Sequence, residues 1–247
     1  MATSDGLVAH WKFNEASGTN AWDSVGDNNA TTINAPTWTV GKIGNCLTFN
    51  GTTQRATFAH TNFAALTTGS VAFWVYPETA AGPRGIFALT DSGDAASAFT
   101  IWWVGDDINF SIYENAGGLI AAQTAAADQE APADTWTHFA LSVGAAGNVW
   151  YINGSVVTPA YAVGSGTTTN WISAVNNIDA GRIGNRYRAS TEETFLDGSL
   201  DDFRVYNRAI TAAEVVSIYN NSKGTEASLS AMTYDRSRPR ELYRGRY

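Results

Sequence analysis

Residues 136–154 read Trp-Thr-His-Phe-Ala-Leu-Ser-Val-Gly-Ala-Ala-Gly-Asn-Val-Trp-Tyr-Ile-Asn-Gly, and no other run in the chain restricts the fold as strongly. Phe139, Leu141 and Val143 alternate with His138, Ala140 and Ser142, which predicts a strand with one apolar and one mixed face. Gly144, Gly147 and Asn148 supply a turn. A second strand over 149–152 then enters Asn153-Gly154, a dipeptide that readily takes positive φ at both central positions of a hairpin turn. The run therefore predicts an antiparallel meander.

Similar short runs recur at 7–14, 46–50, 54–58, 70–76, 85–89, 99–104, 108–113, 119–124, 177–183 and 198–206, with turn residues between them. That cadence is the one expected of a two-sheet sandwich. Nine Trp, ten Tyr and eleven Phe in 247 residues are enough to fill its interior without metal or disulfide support. Cys46 is alone, so no intrachain disulfide forms, and its place in the run 45–49 predicts a small buried hydrophobe. One helix is expected near the end: Thr211 and Glu214 have capping-box spacing, and Val215, Val216, Ile218 and Tyr219 form an apolar stripe up to Asn220-Asn221. Residues 121–134 and 164–170 are low-complexity loops.

Several of these segments carry a resemblance. The sequence Trp136-x-His138-Phe139-Ala140 leading to Tyr151-Ile152-Asn153-Gly154 resembles the core of laminin-G-like, or concanavalin-A-like, jelly-roll domains. Gly6 to Phe13, Gly44 to Gly51, Val71 to Pro77 and Gly198 to Ile210 fit the same pattern in order, so the resemblance spans residues 5–222. It implies an all-β, two-sheet antiparallel jelly-roll sandwich over 1–222, with one short C-terminal helix and an extended tail over 223–247. It also implies that His138 is a satisfied packing residue. Many relatives bind one Ca²⁺ at the sandwich edge through an Asp just before the last long strand; Asp201 aligns with that Asp, and Glu15 and Asp23 would complete a hard-oxygen cage. The fold hosts lectins, glycosidases, adhesion modules and virion parts alike, so function must come from the site.

Retaining glycosidases of this fold carry alternating acids on one strand, which sets nucleophile and general acid on one face. No such run exists here; Glu192-Glu193 are neighbours and would face opposite ways on a strand. His10, His60 and His138 lack ligand spacing. The expectation is a protein without catalytic activity. Trp102, Trp103, Trp150 and Trp171 are candidates for an aromatic platform that binds sugar rings, and adjacent Trp102 and Trp103 must point to opposite faces of their strand.

The net charge of −8 disfavours binding of nucleic acid or anionic membrane by the body. Charge is unevenly spread: five Arg against three acids give residues 225–247 a charge of +2, which leaves −10 for residues 1–224. Arg236, Arg238, Arg240, Arg244 and Arg246, interleaved with Tyr243 and Tyr247, have the composition of a partner-docking segment. Met1-Ala2-Thr3-Ser4-Asp5 shows neither a basic nor an apolar export region, and no apolar stretch is long enough to span a membrane. A binding fold made in the cytoplasm and ending in a docking tail suggests a bacteriophage virion protein, a capsid decoration or tail-associated component present in many copies and bound to the major capsid or tail protein. The alternative is a lectin-like carbohydrate-binding module that recognises a surface glycan.

Overall fold

A computed structural model describes residues 2–78, 82–94, 96–115, 117–124, 130–188 and 191–223. Two antiparallel sheets form a sandwich. In the eight-stranded sheet the order is Ser155–Val157, Gly147–Ile152, Thr137–Gly144, Gly69–Pro77, Asp197–Tyr206, Asn45–Asn50 and Thr37–Val40, with Leu7–Trp11 also paired to Asp197–Tyr206. In the nine-stranded sheet it is Ala160–Val163, Gly117–Gln123, Asp107–Glu114, Ala98–Val104, Arg84–Thr90, Ala180–Ile183, Arg55–Phe58, Ala30–Ile33 and Asn20–Ala21. A separate hairpin, Arg186–Arg188 with Thr191–Glu193, lies beside Arg84–Thr90.

The predicted meander is present. Phe139, Leu141 and Val143 enter the core, and Asn153 and Gly154 take φ of 49° and 80°. Aromatic rings fill the space between the sheets: Phe203 stacks on Phe73 at 4.9 Å and on Phe87 at 5.1 Å, linking the two layers. Cys46 is buried, as its strand position predicts.

The last long strand changes neighbours partway along. Its first half, Asp197 to Leu200, pairs with Asn45–Asn50, whereas Phe203 to Tyr206 pair with Leu7–Trp11. The register breaks between these halves at Asp201 and Asp202, where Asp202 takes φ of 51°. A bulge of this kind re-aims side chains.

The helix Ala212–Lys223 closes the outer face of the eight-stranded sheet. Its capping box is reciprocal: Glu214 N donates to Thr211 Oγ1, and Thr211 N donates to Glu214 Oε2 at 2.8 Å. Val215 and Ile218 face Ala72, Ala140 and Tyr206. Val216, expected in that stripe, is exposed, because the narrow contact accepts only one line of side chains. Arg208 Nη2 also donates to Glu214 Oε1 at 2.7 Å, and these donors hold the Glu214 carboxyl down to about 2. Its contribution is present above the ordinary value of 4.5 and is lost as pH falls toward 2. Glu214→Gln is expected to cost about 1–2 kcal/mol at neutral pH, and the difference from wild type should shrink steadily in melts as pH falls from 4.5 to 2; an equal difference at neutral pH and at pH 2 would contradict the ion-pair assignment.

Beneath this helix His138 is the packing residue the sequence implies, but without the expected hydrogen bonds. His138, Trp74 and Asp201 stand side by side on three neighbouring strands. All three are buried, yet both His138 ring nitrogens, Trp74 Nε1 and Asp201 Oδ1 have no hydrogen-bond partner among the described residues. Burial keeps His138 neutral, down to about 3, against the pull of Asp202. His138 is a packed residue, with Trp74 at 5.2 Å and Tyr219 at 5.7 Å, but no described residue hydrogen-bonds its ring.

Candidate functional site

The period-two geometry of Ala98–Val104 sends Phe99, Ile101 and Trp103 into the core and turns Thr100 and Trp102 to the outer face of the nine-stranded sheet. Antiparallel register then sets Trp102 opposite Asn109, Asn109 opposite Gln123, and Gln123 opposite Ala160. A second row, one pleat away, runs Ala121, Ser111, Thr100, Ala88, Arg182, Thr57. Small side chains thus form a floor, and Trp102, Tyr113 and Gln123 border a groove of about 340 Å³ with Ala121, Ala160 and Ala162. Thr100 and Ser111 hydroxyls satisfy each other at 3.0 Å in this floor.

One residue, Asp107, orients both amide side chains of the groove, through its carboxylate and its main-chain carbonyl. Gln123 Nε2 donates to Asp107 Oδ2 at 3.0 Å, Thr124 Oγ1 donates to Asp107 Oδ1 at 2.9 Å, and Asn109 Nδ2 donates to the Asp107 carbonyl at 3.3 Å. Burial raises the Asp107 carboxyl, with the Thr124 donor opposing and the Asp106 charge adding. Gly85 continues the Trp102 row, and a Cβ there would sit 2.5 Å from the Arg186 backbone nitrogen. The missing side chain is what lets the hairpin approach the sheet at this point.

Farther along the face, Glu192 contacts Arg182 at 3.1 Å and Arg55 at 3.0 Å, and Arg182 lies 4.3 Å over the Tyr187 ring. Glu193 instead meets Arg186 at 2.9 Å. The two acids are strand residues of the hairpin with separate arginine partners, facing apart as neighbours on a strand must.

The four-Trp platform is corrected by the structure. Trp103, Trp150 and Trp171 are core residues, 0 %, 0 % and 1 % exposed. Trp103 Nε1 donates to the Ala131 carbonyl and Trp150 Nε1 to Asn148 Oδ1, so these indoles are anchored inward. Only Trp102 of the four lines the groove. Asn109, Tyr113 and Gln123 were missed by sequence reasoning, because their place beside Trp102 depends on cross-strand register; the parity within each strand was the available signal.

The calcium cage is not assembled either. Both Asp23 oxygens are taken: Oδ1 by the backbone N–H groups of His10 and Val25, Oδ2 by the backbone and side-chain nitrogens of Asn28. Burial opposes the charge on Asp23, but these donors hold its carboxyl below the usual range. Glu15 Oε1 accepts from Trp22 N. Asp201 Oδ2 accepts from Ile43 N at 2.7 Å in a different cleft, of about 220 Å³, beside His10, Lys12 and Arg204. Among the described residues no three His, Cys, Asp or Glu side chains gather around a point that could hold a metal. A carboxylate occupied by four N–H donors has no lone pair to offer a cation, so these residues do not fit the expected cage.

The docking residues Arg236, Arg238, Arg240, Tyr243, Arg244, Arg246 and Tyr247 lie outside the described residues. No described helix is long and apolar enough to cross a membrane.

Sandwich, closing helix and solvent-facing groove together define a jelly-roll domain of the lectin type. The chain belongs to the concanavalin A-like lectin/glucanases superfamily, whose laminin-G profile matches residues 50–216. No curated protein matches the sequence. The structure is similar to domain 4 of AbnA, an extracellular GH43 arabinanase of Geobacillus stearothermophilus solved with arabinotriose, at 20 % identity and a TM-score of 0.64 over 86 % of this chain and 98 % of that domain. It is similar to the CBM40 of the Ruminococcus gnavus IT-sialidase bound to α2,3-sialyllactose, at 13 % identity and a TM-score of 0.56 over 64 % and 86 % of the two chains. It also resembles the Trypanosoma rangeli sialidase, at 18 % identity and a TM-score of 0.65 over 89 % of this chain, which spans 33 % of that enzyme. At these identities the likeness is one of fold.

Proposed function

We propose that this protein is a non-catalytic carbohydrate-binding module whose glycan site is the groove of Trp102, Asn109, Tyr113 and Gln123. The observation that carries the reading is Trp102, an outward indole beside ordered amides, on a face with a small-residue floor. The apolar C–H face of a sugar ring covers an indole well, while hydroxyls need neutral hydrogen-bonding groups at its rim. Carbohydrate ligands in the arabinanase domain and the CBM40 support the class of ligand. Absence of catalysis is argued from Glu192 and Glu193, each held by its own arginines rather than set as a facing pair. Virion decoration rests on the C-terminal segment, which lies outside the described residues, and we favour the glycan reading.

Trp102→Ala tests it. The variant should stay folded and lose about 1.5–3 kcal/mol of binding, roughly 10- to 100-fold, on a neutral oligosaccharide that the wild type retards in affinity electrophoresis. Unchanged retardation would remove the groove from the reading.

A further inference from the structure

We infer that the groove selects uncharged glycans over acidic ones, and that Gln123 and Asn109, oriented by Asp107, make the selection. The inference rests on the glycan-binding reading above and specifies its ligand.

Both amides spend an N–H on Asp107: Gln123 Nε2 on the carboxylate and Asn109 Nδ2 on the main-chain carbonyl. The orientation of each amide is thereby set. Gln123 Oε1 and Asn109 Oδ1 receive no hydrogen bond from the described residues, so both carbonyl oxygens remain as acceptors for a ligand. A sugar hydroxyl satisfies such an acceptor by donating. A carboxylate or sulfate cannot, since its charged end carries only lone pairs.

Recognition of an acidic sugar would need a cation, above all a guanidinium fork. Among the described residues the groove lining contains no Arg, Lys or His. Among the described residues, the arginines elsewhere on this side of the sheet, Arg182 and Arg55, are engaged with Glu192. Asp106 and Asp107 instead bring acidic side chains to the strand that carries Asn109. The charge of −10 over residues 1–224 adds a longer-range repulsion that salt screens. Selection by the amides acts at contact and survives high salt, which separates it from that diffuse term.

The test is calorimetric titration of the full chain with neutral pentose and hexose oligosaccharides and with uronate, sialylated and sulfated counterparts of the same length, at low salt and at 0.5 M. The expected result is a neutral ligand that binds in a Trp102-dependent manner and acidic counterparts at least tenfold weaker at both salt concentrations. Gln123→Arg, confirmed folded by its melt, should tighten an acidic counterpart at least tenfold relative to wild type. Acidic ligands that match neutral ones, in a Trp102-dependent manner, would overturn the selectivity and leave the glycan site standing; so would a folded Gln123→Arg protein with no gain. Binding by no ligand of the panel, or binding indifferent to Trp102→Ala, would overturn both.

Discussion

Alanine at Trp103, Trp150 or Trp171 is expected to cost about 3–5 kcal/mol each, whereas alanine at Trp102 should cost less than about 1 kcal/mol. The four indoles look equivalent in the sequence, but three are closed off between the sheets. Trp150 packs edge-on against Phe139 at 5.6 Å and Phe110 at 6.1 Å, and its Nε1 bonds to Asn148. Its removal leaves a cavity and strips Asn148 Oδ1 of one of its two donors, Tyr161 Oη at 2.6 Å being the other. Trp171 contacts Phe99 at 5.0 Å, but its Nε1 has no partner among the described residues, so its loss is one of packing. Urea unfolding of the four variants measures this directly. A Trp102→Ala protein as unstable as Trp150→Ala would mean that Trp102 belongs to the core and is no ligand platform.

The second large effect is a loss of stability on the alkaline side of neutrality. Burial pushes the Asp201 carboxyl up to about 8, the Ile43 N–H opposing and the Asp202 charge adding. A carboxyl raised in the folded state stabilises fully below the unfolded value of 3.8, and that contribution is lost as pH rises to about 8. His138 works in the opposite sense: with about 3 folded against 6.5 unfolded, it favours folding as pH rises from 3 to 6.5. The two slopes offset each other between pH 4 and 6.5, and above that only the Asp201 slope remains. Stability should therefore fall by about 2 kcal/mol between pH 6.5 and 8. Asp201→Asn keeps an acceptor for the Ile43 N–H and carries no charge, so it should melt higher than wild type at pH 8 and show no such decline. A wild-type protein equally stable at pH 6.5 and 8 would contradict the buried, proton-bearing Asp201.

Much of the sandwich was legible because strand parity and turn chemistry are local. Alternation from His138 to Val143 told the inner face from the outer, Asn153-Gly154 located a turn, and Thr211 with Glu214 located a helix start. Edge elements were not legible. Thr37–Val40 is mostly exposed, and Ala160–Val163 alternates between half-buried and exposed, so neither carries the apolar run that marks a strand. The site was half legible: parity required Trp102 and Trp103 to face apart without saying which faced out. That Gln123 and Asn109 join Trp102 is a matter of register between strands, which a single chain does not spell out. Asp201 was misread for a related reason. Homologous placement suggested an edge ligand, whereas the exchange of partners along Asp197–Tyr206 forms a bulge there, and the carboxyl is buried under the closing helix.

Glycan binding at the groove is tested most directly by following the indole N–H resonances of the nine tryptophans during titration with a neutral oligosaccharide, with Trp102→Phe used to assign the one that matters. The Trp102 indole, together with the side-chain amides of Asn109 and Gln123, should shift in a saturable way while Trp103, Trp150 and Trp171 stay in place. Saturable shifts confined to residues outside the groove, or no shift with any neutral oligosaccharide, would contradict the assignment of this face as the glycan site.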